Sequence, residues 1–205
     1  MTPADLAALC DRSYTAPTVQ LDNNVGILIE GGALAIRGTR IRVLADVLRD
    51  ADIETIDDPV LGPVHRGCLE AANAIAAWLV ETRRSDWPRI ICGHSLGGGI
   101  AGLLGAIYAV AGCPLDQITT FGAMRSCAGP RVPGILTAVP VRDCFWHAGD
   151  PVPDAPPTFN LWHPVPTMVG TAVAWPLSNH AISAYQAALA ATAPGGSPAP
   201  TEQPT

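Results

Sequence analysis

The chain has 205 residues and a mass of 21.3 kDa, at the upper end of the about 100 to 200 residues usual for one domain. Hydrophobic residues make up 48% and charged ones 15%, which excludes disorder over most of the length, because such a chain can bury enough apolar surface to offset its ordering entropy. The formal charge is -6, and the basic residues are scattered arginines with no lysine, which excludes a basic surface tracking a phosphate backbone.

Residues 1–16 read as a short helix, with Leu6, Ala7 and Leu9 behind Thr2-Pro3-Ala4-Asp5 and Pro17 as the break. This stretch carries Asp5 and Asp11 and no basic residue before Arg12, unlike a secretory signal, so the expected location is cytoplasmic unless the chain is already processed. Val25 to Glu30 and Ala33 to Arg37, split by Gly31-Gly32, have the pattern of a β-hairpin. Residues 40–50 place Ile41, Leu44, Val47 and Leu48 at helical spacing. A longer helix is predicted from His65 to Arg84, ended by Trp87-Pro88.

Then follow a strand from Arg89 to Cys92, an apolar helix from Leu96 to Gly112, and strands from Gln117 to Phe121 and Val139 to Trp146. Strand and helix alternating at this spacing predict a mostly parallel sheet with helices on both faces. The uncharged run from Leu96 to Cys113 raises the question of a membrane span. Its six glycines and its place after a sharp turn point instead to a helix buried inside the protein. His180 to Ala191 reads as a last helix, and the Pro, Gly, Ser and Thr-rich end is expected to be disordered. The organisation expected is one domain over 1–193 with a tail over 194–205.

The six cysteines form no CxxC pair and no His/Cys ligand cluster, so reduced, mostly buried thiols are expected, with no metal and no cofactor.

The sharpest signal is Gly93-His94-Ser95-Leu96-Gly97, a G-x-S-x-G pentapeptide between the strand Arg-Ile-Ile-Cys and the long apolar helix. In that context the motif is a nucleophile elbow, which thrusts Ser95 out at the top of the sheet. Unpaired N–H groups at the following helix start favour developing negative charge, making the Leu96 amide the natural oxyanion donor. A serine nucleophile needs a base and an orienting acid, which follow it in the order Ser, Asp, His. The acids available are Asp116, Asp143, Asp150 and Asp154, and the bases His147, His163 and His180. Asp150 lies just past a strand end and is the first choice, with Asp154 in reserve. His180 sits beside the Trp175-Pro176-Leu177-Ser178-Asn179 loop, His163 reads as a strand residue, and His147 is close to Asp150 in the chain.

On these residues the chain resembles the class 3 lipases, fungal-lipase-like members of the α/β-hydrolase fold, over roughly residues 25–190. Ile36-Arg37-Gly38-Thr39 is similar to the family's Phe-Arg-Gly-Thr or Ser strand end, and Val64-His65-Arg66-Gly67-Cys68 to its Val-His-x-Gly-Phe segment, with Cys68 for the aromatic. Gly-His-Ser-Leu-Gly-Gly matches the elbow, where His94 is a common residue and not the base. Thr120-Phe121-Gly122-Ala123 matches the next strand end, followed by Met124 where the family usually has proline. Asp150-Pro151-Val152-Pro153 resembles the acid's segment, and Asn-His-Ala-Ile-Ser-Ala-Tyr the late histidine's. The resemblance implies an ester hydrolase with Ser95, Asp150 and His180 as triad, Thr39 beside Leu96 in the oxyanion hole, and His65 structural.

The same triad serves phospholipases and acyltransferases, and the fold can also persist as a non-catalytic interaction module. The partner expected is an ester or lipid, met in solution or at a lipid surface. The helix over 40–50, with Leu44 on its apolar side, reads either as a lid or as a helix docked on the sheet. Trp146, Phe159, Trp162, Met168 and Trp175 fall in the part of the chain where such a fold builds its acyl-binding walls; Trp146 and Trp175 join Leu44 as candidate substrate contacts, with core packing as the alternative. A compact pocket for small to medium acyl chains is expected.

Overall fold

The structure, a computed structural model, describes residues 1–21, 25–38, 54–83, 86–160, 162–163 and 165–192. The chain opens with helix α1 (Pro3–Ser13), started by a reciprocal cap in which Thr2 Oγ1 accepts the Asp5 amide and the Asp5 carboxylate accepts the Thr2 amide. Strands β1 (Val19–Gln20), β2 (Gly26–Glu30) and β3 (Ala33–Ile36) follow. The β2–β3 turn holds Gly31 and Gly32 at φ 59° and 76°, the doubly positive geometry of a tight hairpin turn, open to glycine without steric cost.

A small hairpin of β4 (Thr55–Asp58) and β5 (Gly62–His65) leads into helix α2 (Arg66–Arg83). Then come β6 (Ile90–His94), α3 (Leu96–Val110), β7 (Gln117–Phe121), α4 (Arg131–Leu136) and β8 (Val141–His147). After a 3-10 turn over Val152–Asp154, the chain adds β9 (Thr167–Val169) and the helices α5 (Pro176–His180) and α6 (Ile182–Thr192).

The main sheet has the order β1-β2-β3-β6-β7-β8-β9. β1 to β3 are antiparallel, while β3, β6, β7, β8 and β9 run parallel. β3 and β7 are buried at every position, as expected of strands covered on both sides. On one face Leu34, Ile36, Ile91 and Ile118 pack with α2, α3 and α4; on the other Ala35, Cys92, Phe121 and Phe145 pack with α1 and α6. The expected α/β-hydrolase architecture, a mostly parallel sheet with helices on both faces, is therefore observed.

Helix α3 is almost wholly buried, and Gly102 and Gly105 let it approach closely: a Cβ on Gly102 would lie 2.6 Å from Trp162 Cγ, and one on Gly105 would overlap Ile118 Cδ1. Among the described residues no helix is long and apolar enough to cross a membrane.

The single helix expected over His180–Ala191 is a correction. It is two helices parted at Ala181, whose ψ of 136° is extended. The His180 carbonyl lies 2.7 Å from His94 Nε2, so a cross-sheet contact replaces an intrahelical bond. Sequence periodicity also misses β1, the β4–β5 hairpin, α4 and β9, which are short. The helix expected over 40–50, and with it Thr39 and Leu44, lies outside the described residues, as does the tail over 194–205.

Candidate active site

β6 and α3 meet at Ser95, whose φ of 61° and ψ of -129° make it the one non-glycine residue with positive φ among those described. Its amide donates to Phe121 O at 3.0 Å, and its carbonyl accepts the Gly98 and Met124 amides at 2.9 and 3.2 Å. These bonds hold a conformation that otherwise costs about 1–3 kcal/mol. The flanking glycines answer to space: a Cβ on Gly93 would overlap Gly97 O, and one on Gly97 would overlap Ile36 O. Ser95 thus stands at the carboxyl end of the parallel strands, with the half-buried Leu96 heading α3, where a backbone amide has no partner within the helix.

His180, at the end of α5, is fully buried, and its Nδ1 lies 2.8 Å from Asp150 Oδ2. A carboxylate only accepts, so Nδ1 carries the proton and Nε2 the lone pair. His180 Nε2 and Ser95 Oγ are both buried and neither has a hydrogen-bond partner among the described residues. Asp150, past the end of β8, is oriented by two further donors, the Tyr185 hydroxyl to Oδ2 at 2.6 Å and the Val152 amide to Oδ1 at 2.9 Å.

The other expected acids and bases lie elsewhere. Asp116 pairs through both oxygens with Arg89 at 2.7 Å, Asp154 pairs with Arg125 at 2.8 Å, and Asp143 lies 3.4 Å from Thr119 Oγ1. His147 Nδ1 meets Ala148 O at 3.0 Å, and His163 Nδ1 accepts the Val165 amide at 3.3 Å. His65 stacks near Phe159, with ring centres 5.6 Å apart. Burial pushes the thiols of Cys68 and Cys127 up to about 12 and that of Cys144 to about 11, so none is a ready thiolate. No group of three metal-ligating side chains occurs among the described residues.

Several residues around the site escape sequence reasoning. Tyr185 ends the Asn-His-Ala-Ile-Ser-Ala-Tyr segment, and its bond to Asp150 leaves no mark in that motif. Asn179 fastens the approach to His180, donating to Gly149 O and Val173 O at 3.3 and 3.2 Å and accepting the Val173 amide at 2.9 Å. The His94 ring stacks on the His180 ring with centres 4.6 Å apart. Tyr14, which caps the C-terminus of α1, lies 2.7 Å from His94 Nδ1, and nothing in the chain order signals that contact.

Of the candidate substrate contacts, Trp146 is half-buried, donates from Nε1 to Asp150 O at 2.9 Å, and lines a cavity of about 600 Å³ with Arg125, Pro130, Pro133, Asn160 and Pro166. Trp175 is 79% exposed and does not line it. Phe159 and Trp162 are core residues, each 1% exposed.

The model of the family described as lipase (class 3) matches residues 33–160. No curated protein matches the chain. Among solved structures, the triacylglyceride lipase of Rhizomucor miehei is 17% identical with a TM-score of 0.59, covering 76% of this chain and 73% of its own. The Lip2 lipase of Yarrowia lipolytica is 18% identical with a TM-score of 0.57, over 85% and 78% of the two chains. A triacylglycerol lipase whose catalytic centre is formed by a serine protease triad is 16% identical with a TM-score of 0.63, over 82% and 78%.

Proposed function

The chain belongs to the class 3 lipase family and is a carboxylic ester hydrolase of the serine-triad type, and we propose that Ser95 is its nucleophile, His180 its base and Asp150 the acid that orients the base. The observation that carries this reading is the pair of buried atoms without partners, Ser95 Oγ and His180 Nε2, on an imidazole whose other nitrogen is tied to a buried carboxylate.

In this reading Ser95 Oγ attacks the ester carbonyl carbon as its proton passes to His180 Nε2. Asp150 stabilises the imidazolium through Nδ1. The Leu96 amide and Thr39 hold the oxyanion. Support for Thr39 comes from the residue before it: Gly38 lies beside the nucleophile, where a Cβ on it would be 2.7 Å from Ser95 Cβ. The tetrahedral adduct collapses, the C–O bond to the alcohol breaks, and His180 returns the proton to the leaving oxygen. Water then attacks the acyl-serine by the same route, releasing the acid and restoring Ser95. Ser95 and His180 are both fully buried.

The substrate class proposed is an ester of small to medium acyl chain. Trp146 supports this reading as a residue that braces the acid's own carbonyl and lines a cavity of about 600 Å³, within the range of small-molecule sites, although Ser95, Asp150 and His180 do not line that cavity. The test is hydrolysis of p-nitrophenyl esters from acetate to palmitate by wild type, Ser95→Ala and Trp146→Ala. Serine-dependent turnover peaking at short or medium chains, with the peak displaced in Trp146→Ala, is expected. A peak at long chains with a jump above the micellar limit would overturn the chain-length reading. Wild-type turnover equal to that of Ser95→Ala would overturn the assignment of the nucleophile. Acyl transfer to an added alcohol, or a dependence on a phospholipid headgroup, would move the reaction to the neighbouring classes.

A further inference from the structure

Resting on the reading of Ser95 and His180 as nucleophile and base, we propose that Tyr14 is a positioning residue which, acting through His94, holds the base from behind and ties it to Gly38.

Hydrogen-bond inventory settles the direction of the line. His94 Nε2 lies 2.7 Å from the His180 carbonyl oxygen, which can only accept, so Nε2 carries the proton. A neutral imidazole then has its lone pair on Nδ1, and the Tyr14 hydroxyl, 2.7 Å away, donates to it. The same hydroxyl lies against the backbone of Gly38. One phenol therefore touches both the residue before Thr39 and the residue before Ser95. A Cβ on Gly38 would lie 2.8 Å from Tyr14 Oη, so the three groups leave no room for slack.

His94 acts on the base twice. Its Nε2–H fixes the backbone carbonyl at the break between α5 and α6, and its ring lies against the His180 ring, 4.6 Å centre to centre and tilted by 25°. The face of a neutral imidazole offers π density to the imidazolium formed during attack, whereas a protonated His94 would repel it. The titratable groups facing His94 are Tyr14, His180 and Tyr185, and those acting on Tyr14 are Cys10, Asp11 and Arg37. Among these, the donor that occupies the His94 lone pair is Tyr14. Burial and His180 hold His94 well below its ordinary value of 6.5, and the Tyr14 bond works in the same direction by engaging the site a proton would take.

The experiment compares wild type, Ser95→Ala, Tyr14→Phe and Tyr14→Phe with His94→Gln in kcat, KM, melting temperature and the pH profile of kcat/KM. Tyr14→Phe keeps the ring and removes the hydroxyl. It is expected to lower kcat about tenfold to a hundredfold, the cost of a misplaced catalytic group, with KM held. The acid limb is expected to move up by about half a unit or more, as His94 becomes protonatable against the base. In the double variant nothing at position 94 titrates, so the limb is expected to return to its wild-type place. Tyr14→Phe with wild-type kcat and limb, or with a loss of activity that follows its melting temperature while the limb stays, overturns the inference. An independent readout is the tautomer in the wild-type protein with ¹⁵N-labelled histidine. An Nδ1–H or protonated His94 at pH 6 overturns the inference even if Tyr14→Phe does not fold. Absence of Ser95-dependent turnover in wild type instead overturns the nucleophile and this inference with it.

Discussion

The Tyr185 hydroxyl donates to Asp150 Oδ2 at 2.6 Å, the same oxygen that lies 2.8 Å from His180 Nδ1. It also accepts the His147 amide at 3.0 Å, so one phenol joins α6, the end of β8 and the carboxylate. Burial, and then the charge of Asp150, push its own ionisation up out of the working range, so it remains a donor.

Tyr185→Phe is therefore expected to lower kcat about tenfold, because Asp150 turns more freely against His180, and to cost about 1–3 kcal/mol of stability, because a buried amide loses its acceptor. Steady-state kinetics beside urea unfolding separates the two effects. A variant that loses stability alone would make Tyr185 a packing residue.

Stability is expected to fall with pH through His94. The folded chain keeps this group neutral, with its pKa pushed well below 6.5 by burial and then by His180, while the unfolded chain protonates it near 6.5. Below that pH the unfolded state binds one more proton, so acid favours unfolding with a slope of up to about 1.4 kcal/mol per pH unit. The loss between pH 7.5 and pH 5 is about 2 kcal/mol on that slope, and above pH 7 the contribution is flat. His94→Gln is expected to flatten the difference in urea midpoints between the two pH values.

Ser95→Gly is expected to raise stability by about 1 kcal/mol while abolishing turnover and labelling by a fluorophosphonate. Glycine relieves the positive φ of 61°, against a smaller entropic cost in the unfolded chain. Ser95→Ala keeps the strain and is expected to show no such gain. Equal melting temperatures for the two variants would mean that the elbow stores no strain.

Gly122 faces the centre of the site. Its φ is +53°, and a Cβ there would lie 2.7 Å from Asp150 Oδ2, 2.8 Å from Tyr185 Oη and 3.1 Å from His180 Nδ1. Gly122→Ala is expected to cost about 2–3 kcal/mol and to lower kcat by about a hundredfold. A variant of wild-type kcat would show that these three groups can yield together.

Local chemistry on its own determined much of this protein. The G-x-S-x-G turn between an apolar strand and an apolar helix, the Gly31-Gly32 hairpin and the strand over Gln117–Phe121 are decided by neighbours in the chain: glycines that make room, and continuous apolar runs that bury both faces. The short elements were not legible, because two or three residues of β1 or β9 form a strand only by adding to an existing sheet edge. Four carboxylates and three histidines follow Ser95 in plausible order, and chain order cannot tell a surface ion pair such as Asp116 with Arg89 from a buried acid. That choice belongs to tertiary structure, which brings β8, α5 and α6 together so that Asp150, His180 and Tyr185 meet away from water. The same holds for Tyr14 and His94. Their contact depends on α1 packing beneath the sheet, a placement set by burial of Leu6, Leu9 and Cys10 and carried by no motif. Hydrogen bonds between residues far apart in the chain leave no local pattern, because their directionality is satisfied only once the core has set the distances.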